Sequence, residues 1–326
     1  MKYRKLKDLE VSAIGLGCMG MHHAYGPAAD ENEMIKLIHK ALDLGVTYFD
    51  TAEVYGTPAN PHANEILVGK ALKNYRDKVV ISTKFGIKTN NKHELLTDSH
   101  PEVIRKSVEG SLKRLQTDCI DLYYQHRVDP KIRLEDVAGV MSELIQDGKI
   151  RHWGLSEATP EELKLANSIC PVTAIQSRYS IMARHYEKTI FPVCEELGIG
   201  FVAFSPLANG FLSGVYTKED KFDKETDFRS FLPQFQPANI DAHQGLLELI
   251  DNFAKAKNAT KAQISLAWML AQKPFIVPIP GTTKINRLIE NSKSADIELT
   301  KEELTLINEA LSHIEIKGVY LGAKTK

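Results

Sequence analysis

Gly15-Leu16-Gly17-Cys18-Met19-Gly20-Met21-His22-His23-Ala24-Tyr25-Gly26-Pro27 is the stretch on which the fold reading turns. Its first six residues match G-x-G-x-x-G. In a doubly wound α/β fold that motif opens a helix directly and is followed about 20 residues later by an acid. Neither condition holds here. Residues 21–27 run through His22-His23 into Gly26-Pro27, which does not start a helix, and residues 35–40 read Ile-Lys-Leu-Ile-His-Lys, with no acid. The glycines read instead as places where the end of a first strand runs close to a neighbour or a ligand.

Outward from this stretch, short apolar runs alternate with longer segments of helical periodicity. Strands are predicted at 13–17, 46–50, 79–84, 120–125, 152–155, 174–176, 200–204 and 275–278. Helices are predicted near 31–44, 62–73, 101–116, 133–147, 160–169, 185–197, 242–272 and 284–293. The third is the clearest, with Pro101 suited to a first turn and Val103, Ile104, Val108, Leu112 and Leu115 on one stripe. Eight β-then-α units fit either a parallel barrel or a doubly wound sheet. With the dinucleotide fingerprint set aside, the expectation is an α/β fold, a (β/α)8 TIM barrel, forming one domain over residues 1–326. Two additions are expected. Residues 208–240, rich in Gly, Pro, Phe and charge, form a long loop after strand seven, over the barrel mouth. Residues 300–313, opened by Thr300 and Glu303 as a capping box, form an extra C-terminal helix.

Composition limits the partners. The chain has 326 residues, 43% hydrophobic and 25% charged, with net charge -1 and a pI near 6.8. No basic field invites nucleic acid or an anionic membrane. Apolar runs fall short of the ~18 residues of a membrane span, and the N-terminal stretch lacks the apolar core of a signal peptide. The four cysteines, Cys18, Cys119, Cys170 and Cys194, form no CxxC pair and read as reduced thiols. The eleven histidines include no HxH or HExxH pattern, so no metal is expected. The expected location is the cytoplasm.

The chemistry is carried by Phe49-Asp50-Thr51-Ala52-Glu53-Val54-Tyr55-Gly56, Ile81-Ser82-Thr83-Lys84-Phe85-Gly86 and Tyr123-Tyr124-Gln125-His126. In the barrel register Asp50, Lys84 and His126 end strands two, three and four, and Tyr55 lies in the loop above strand two. Polar residues at the C-terminal ends of successive strands converge on the face where barrel active sites are built. Taken singly, each has a structural explanation: a salt bridge, a packed ring, a satisfied histidine. Together they form an acid–base device. A phenol titrates near 10, a neighbouring ammonium favours its phenolate, and a carboxylate orients the ammonium. A histidine beside the phenol can hold a carbonyl or assist proton transfer. The matching chemistry is hydride transfer to a carbonyl, with Tyr55 protonating the developing alkoxide.

A second constellation joins strand eight to helix eight: Pro280-Gly281-Thr282-Thr283-Lys284-Ile285-Asn286-Arg287. A helix N-terminus already carries partial positive charge, so Lys284 and Arg287 there are locally unfavourable unless an anion joins them. Backbone N–H groups, threonine hydroxyls and two cations suit a phosphate. Two solvated surface charges are the plainer alternative.

FDTAEVYG, ISTKFG, YYQHRVDP, HWGLSEAT, IQSRYS, FSPLANGFLSG and IPGTTKINRLIEN follow one another in an order and spacing that resembles the aldo-keto reductases. The stretches QHRVDP, GFLSG and DFRSFLPQFQ look most like the bacterial, plant and fungal general aldehyde and ketone reductases. The resemblance covers essentially the whole chain. It implies a (β/α)8 barrel, NADP(H) as cofactor, and Tyr55, Asp50, Lys84 and His126 as the catalytic group. It also assigns Gly20, Met21, Ser156, Gln176, Phe204, Ser205, Leu207 and Asn209 to the cofactor, with Phe204 stacking on the nicotinamide. The adenosine 2′-phosphate would lie at Gly281, Thr282, Lys284 and Arg287, with Glu290 and Asn291 near the adenine. Two residues depart from the pattern. Phe204 stands where relatives commonly carry Tyr, and Asn209 where this branch often has Arg.

The resemblance implies a small-molecule carbonyl substrate and a monomer or small homo-oligomer. By position, the mouth is expected to be lined by Met21, Val54, Phe85, His126, Trp153 and the 208–240 loop. A related scaffold serves channel-associated β-subunits, so an NADP(H)-binding regulatory subunit with slow turnover is the alternative from another class.

Overall fold

The structure is a computed structural model of the chain, and it describes residues 1–89 and 95–319. Eight parallel strands form one curled sheet: Leu16–Gly17, Tyr48–Asp50, Val80–Phe85, Ile120–Gln125, Ile150–Ser156, Ala174–Arg178, Gly200–Phe204 and Ile276–Pro278. Each pairs with the next in chain order. The seam between the first and eighth is closed by a parallel bridge from Gly17 to Gly281 and by Gly15 N–H donating to Pro278 O at 3.0 Å.

The G-x-G glycines serve this seam. A Cβ on Gly17 would lie 2.8 Å from Ile279 O, and one on Gly281 would lie 2.9 Å from Gly17 O. Neither position admits a side chain without moving backbone, so the fingerprint that imitates a nucleotide loop is a barrel closure.

Successive strand residues point to opposite faces, and this alternation sorts the core into two layers. Tyr48, Leu122, Tyr124, Ala174, Val202, Val277 and Ile279 pack inside the barrel with Leu6 and Val11. The last two come from a hairpin, Tyr3–Leu6 with Leu9–Ser12, that was not foreseen from the sequence and closes the bottom. Outward-facing residues, among them Phe49, Phe85, Tyr123, Trp153 and Phe201, meet the helices in a second, larger cluster.

The helices begin where their capping residues dictate. Asp30 accepts from Glu33 N–H ahead of Glu31–Asp43, Pro101 opens Pro101–Leu115, and Thr159 with Glu162 forms a capping box ahead of Pro160–Ile169. The expected C-terminal helix is Lys301–Ser312, capped by Thr300 and Glu303. One expectation fails: 242–272 is two helices, Gln244–Ala256 and Lys261–Gln272. Asn258 adopts a left-handed φ of 51°, and Thr260 with Gln263 caps the second helix anew. Likewise 185–197 divides into a 3-10 turn, His185–Glu187, and a shorter helix, Ile190–Leu197. After strand three an antiparallel ribbon, Ile87–Thr89 with Leu95–Thr97, was also not anticipated.

Residues 208–240 are more ordered than a plain loop. They contain the 3-10 turns Ala208–Ser213, Phe228–Phe231 and Pro233–Phe235, followed by the short helix Pro237–Ala242. Among the described residues, no helix is long and apolar enough to cross a membrane.

Candidate active site

Asp50, Lys84 and His126 reach one end of the barrel because strands two, three and four stop there in register, with Asp50 beside Ser82 and Lys84 beside Tyr124. Lys84 is completely buried. Its Nζ donates to Asp50 Oδ1 at 2.6 Å, to Thr51 O at 2.7 Å and to Tyr55 Oη at 3.3 Å. The other carboxylate oxygen, Asp50 Oδ2, accepts from Ser82 Oγ at 2.7 Å and Gln176 Nε2 at 2.8 Å. Burying an ion pair is tolerable only with such full satisfaction of its lone pairs and protons. Asp50 therefore holds one lysine in one place.

Tyr55 is positioned from the other side by a short, tightly folded loop. Tyr55 N–H donates to Ala52 O at 3.1 Å, and Tyr55 O accepts from Asn64 N–H at 3.1 Å. The Asn64 side chain, fully buried on the helix Ala63–Leu72, accepts from Thr51 Oγ1 at 2.7 Å and donates to Cys18 O at 2.8 Å. One asparagine thus joins the loop bearing Tyr55 to the end of strand one.

Two histidines bracket the phenol. His126 meets the Tyr55 ring edge-on at 5.8 Å, and His23 stacks against it at 5.7 Å. Burial, then the charges of Arg127, Lys84 and His23, push His126 well below its ordinary range, so it is neutral near pH 7. Its Nδ1 is buried without a hydrogen-bond partner among the described residues. For Tyr55, burial outweighs the Lys84 charge, and the phenol is raised above its ordinary value. The ammonium favours the phenolate as expected, but it offsets only part of the burial. Lys84 itself is pulled down by burial, but Asp50 and Tyr55 more than compensate and hold it above its ordinary value.

Strands five to seven bring Ser156, Gln176 and Phe204 to the same mouth. Ser156 Oγ accepts from Arg127 Nη1 at 3.0 Å. Phe204 is half-buried, with the Arg178 guanidinium 5.1 Å from its ring centroid. Beyond it the backbone turns through left-handed conformations at Ser205, Ala208, Asn209 and Gly210, with φ of 50°, 48°, 61° and 97°. Non-glycine residues held there cost of order 1–3 kcal/mol each and gather at functional sites. Leu207 is half-buried in this turn. The Asn209 side chain accepts from Arg178 Nη1 and Gln234 Nε2, both at 3.3 Å, and donates to Tyr25 Oη at 2.6 Å. Gly20, in the 3-10 turn Met19–Met21, faces the Tyr25 ring, 3.3 Å from where its Cβ would stand.

At the eighth strand, Gly281, Lys284 and Arg287 are exposed. The helix Ile285–Lys293 starts at Lys284 without a side-chain cap, although Thr282 Oγ1 accepts from Lys284 N–H at 3.0 Å. Neither cation forms an ion pair with another described residue. Glu290 accepts from Thr260 Oγ1 at 2.5 Å, and Asn291 is buried. An aromatic face at Phe204, polar side chains at Ser156 and Gln176, and a helix end without a side-chain cap fit a nicotinamide dinucleotide. Gln176 would meet it with an amide already engaged by Asp50.

Three expected contacts are corrected. Phe85 is fully buried against the Tyr123 ring at 4.8 Å, and Trp153 is fully buried with its indole N–H on Cys170 O at 3.1 Å. Both belong to the layer between strands and helices, and Met21 is buried in that same cluster. Their side chains do not line the mouth. His126 does lie beside the Tyr55 ring, and Val54, which precedes Tyr55 in the chain, is half-buried. Arg127, His23 and Tyr25 were missed. Arg127 directly follows the histidine in Tyr123-Tyr124-Gln125-His126, which was the available signal.

The family model for the aldo/keto reductase family matches residues 13–312. This chain belongs to the aldo-keto reductase family. A probable aldo-keto reductase 1 from Glycine max is 42% identical over 313 residues, covering 96% of this chain and 89% of that protein. Among solved structures, a glycerol dehydrogenase from Gluconobacter oxydans superposes with a TM-score of 0.87 at 28% identity, covering 99% of this chain and 98% of that one. The holo form of an aldo-keto reductase from Bacillus halodurans gives 0.78 at 29% identity, with 98% of each chain covered. The curled parallel sheet of eight strands is thus the (β/α)8 barrel of these enzymes. As an aldo-keto reductase the protein is an oxidoreductase of a family that works with a nicotinamide cofactor.

Proposed function

We propose that this aldo-keto reductase reduces aldehydes and ketones to alcohols with NADP(H), Tyr55 giving the proton to the carbonyl oxygen. The observation that carries the reading is Lys84 Nζ bridging Asp50 Oδ1 and Tyr55 Oη, all three side chains being buried. A bound nicotinamide supplies the hydride.

The protein groups manage the proton. Burial keeps the Tyr55 phenol protonated at rest, which is the form a general acid needs. As the proton leaves, the fixed Lys84 ammonium faces the new phenolate. That interaction is stronger in the transition state than in the ground state, and only such interactions accelerate the step. Neutral His126, edge-on to the phenol, can offer a ring N–H to the same carbonyl oxygen. Support for the phosphorylated cofactor comes from Lys284 and Arg287 at the uncapped helix end.

Tyr55→Phe removes one oxygen and preserves the ring. Single-turnover hydride transfer, which separates chemistry from release, is expected to fall by about 10² or more while NADPH binding stays near the parent. A variant that keeps the parent rate at saturating aldehyde would remove Tyr55 from the mechanism.

A further inference from the structure

Among the described residues, one strong charge at the mouth has no counter-ion. Arg127 is half-buried and directly follows His126. Its Nη1 donates to His126 O at 2.5 Å and to Ser156 Oγ at 3.0 Å, which fixes one edge of the guanidinium. Its Nε and Nη2 make no hydrogen bond, and it forms no ion pair, among the described residues. The acids nearby are engaged elsewhere. Asp50 holds Lys84, Glu187 holds Arg184, and Glu157 Oε1 accepts from Arg178 N–H at 2.8 Å.

A planar fork held by one edge and open on the other suits bidentate capture of an oxyanion. A partly desolvated cation without a partner is also unfavourable, and a bound anion would offset that. The charge reaches the reacting groups. After burial, Arg127 is the largest cause of the depressed His126, ahead of Lys84.

We propose that Arg127 selects carbonyl substrates that carry a carboxylate or phosphate a few bonds from the carbonyl. The Nε and Nη2 edge takes the oxyanion while Tyr55 takes the carbonyl oxygen. The proposal rests on the carbonyl-reduction reading and adds the substrate class to it.

The test compares matched pairs: 4-formylbenzoate against 4-methylbenzaldehyde for a carboxylate, and glyceraldehyde 3-phosphate against glyceraldehyde for a phosphate. In the parent, kcat/KM should favour the anionic member of at least one pair by about tenfold or more, the range of a charged hydrogen bond. Arg127→Gln should bring that ratio close to one, and Arg127→Lys should restore part of it. The ratio is insensitive to general damage, which lowers both members alike. Calorimetric binding of terephthalate to the NADP+-loaded protein gives a reading without turnover and should weaken about tenfold in Arg127→Gln. A parent ratio near one in both pairs, a ratio unchanged in Arg127→Gln, or equal terephthalate binding would overturn the proposal. Inert aldehydes together with Arg127-dependent terephthalate binding would strike the carbonyl-reduction reading and leave the anion site standing.

Discussion

Asn209 donates its side-chain amide to Tyr25 Oη at 2.6 Å, joining loops that follow strands seven and one across the barrel mouth. The joint is broader than one bond. Gly26 N–H donates to Thr226 O at 2.9 Å, and Phe228 N–H donates to Ala24 O at 2.9 Å. Arg229, paired with Asp227, lies 5.4 Å from the Tyr25 ring centroid and 4.4 Å from that of Phe222. The asparagine is thus a neutral bracket between the two loops. Tyr25→Phe leaves the amide without its acceptor while keeping the ring, a loss of about 1 kcal/mol. Hydrogen exchange should accelerate at residues 24–28 and 226–230 and remain unchanged in strands two to four. Unchanged protection in both loops would show that the backbone pairs alone hold the joint.

Glu53 gives the fold a pH dependence. Burial raises its carboxyl to about 7, with Glu65 adding to the rise and Ser107, the Gly86 N–H and Arg114 opposing it. A raised acid binds its proton more tightly when folded, so stability falls as pH rises from the ordinary value of 4.5 through about 7. Below 4.5 the contribution is fully present. Glu53→Gln keeps an acceptor for the Gly86 N–H, which bonds Glu53 Oε1 at 3.2 Å. The variant should gain stability relative to the parent as pH rises from 5 to 8, read as a difference in denaturation midpoints. A constant difference across that range would mean Glu53 titrates at its ordinary value.

In the candidate site, Asp50, Lys84 and His126 were legible because a period-two pattern places strand ends predictably and they stand at three such ends, with Tyr55 in the loop above strand two. The same periodicity explains the failures. Phe85 is one residue past Lys84, and one step along a strand reverses the face. Trp153 was expected at the mouth by position, while the alternation Trp153-Gly154-Leu155-Ser156 sends it outward and Ser156 inward. Arg127 lies just past a strand end, where no period applies. The break between helices at 257–260 did carry a signal, Thr260 with Gln263, the same capping-box pattern as Thr300 with Glu303. Tyr25 and Asn209 are 184 residues apart, and nothing local in either segment announces the other.

The proposed preference for NADPH rests on Lys284 and Arg287. Both are exposed at the uncapped start of the helix Ile285–Lys293, so they can be removed without disturbing the core. Hydrogen bonds to charged groups are worth about 1.5–3 kcal/mol. Lys284→Ala with Arg287→Ala should weaken NADPH by about tenfold or more and leave NADH nearly unchanged, measured by fluorescence titration of each. Equal loss with both cofactors would remove the 2′-phosphate from this end of the barrel.

Lys84 has two duties, and a double variant separates them. Lys84→Met removes the charge facing Tyr55 Oη and also leaves Asp50 Oδ1 without its ion-pair partner in a fully buried place. Breaking a buried pair on one side costs about 3–5 kcal/mol, most of it from the charge left behind. The single variant should therefore lose both stability and rate, and the rate loss alone would not distinguish chemistry from damage. Adding Asp50→Asn neutralises the stranded carboxylate and keeps an oxygen for Ser82 and Gln176, its neighbours on Oδ2. The double variant should recover much of the stability in chemical denaturation. Its single-turnover hydride transfer should stay about 10² or more below the parent, because nothing then stabilises the Tyr55 phenolate. If rate returned along with stability, Lys84 would be a structural partner of Asp50, and the proton transfer from Tyr55 would need no ammonium.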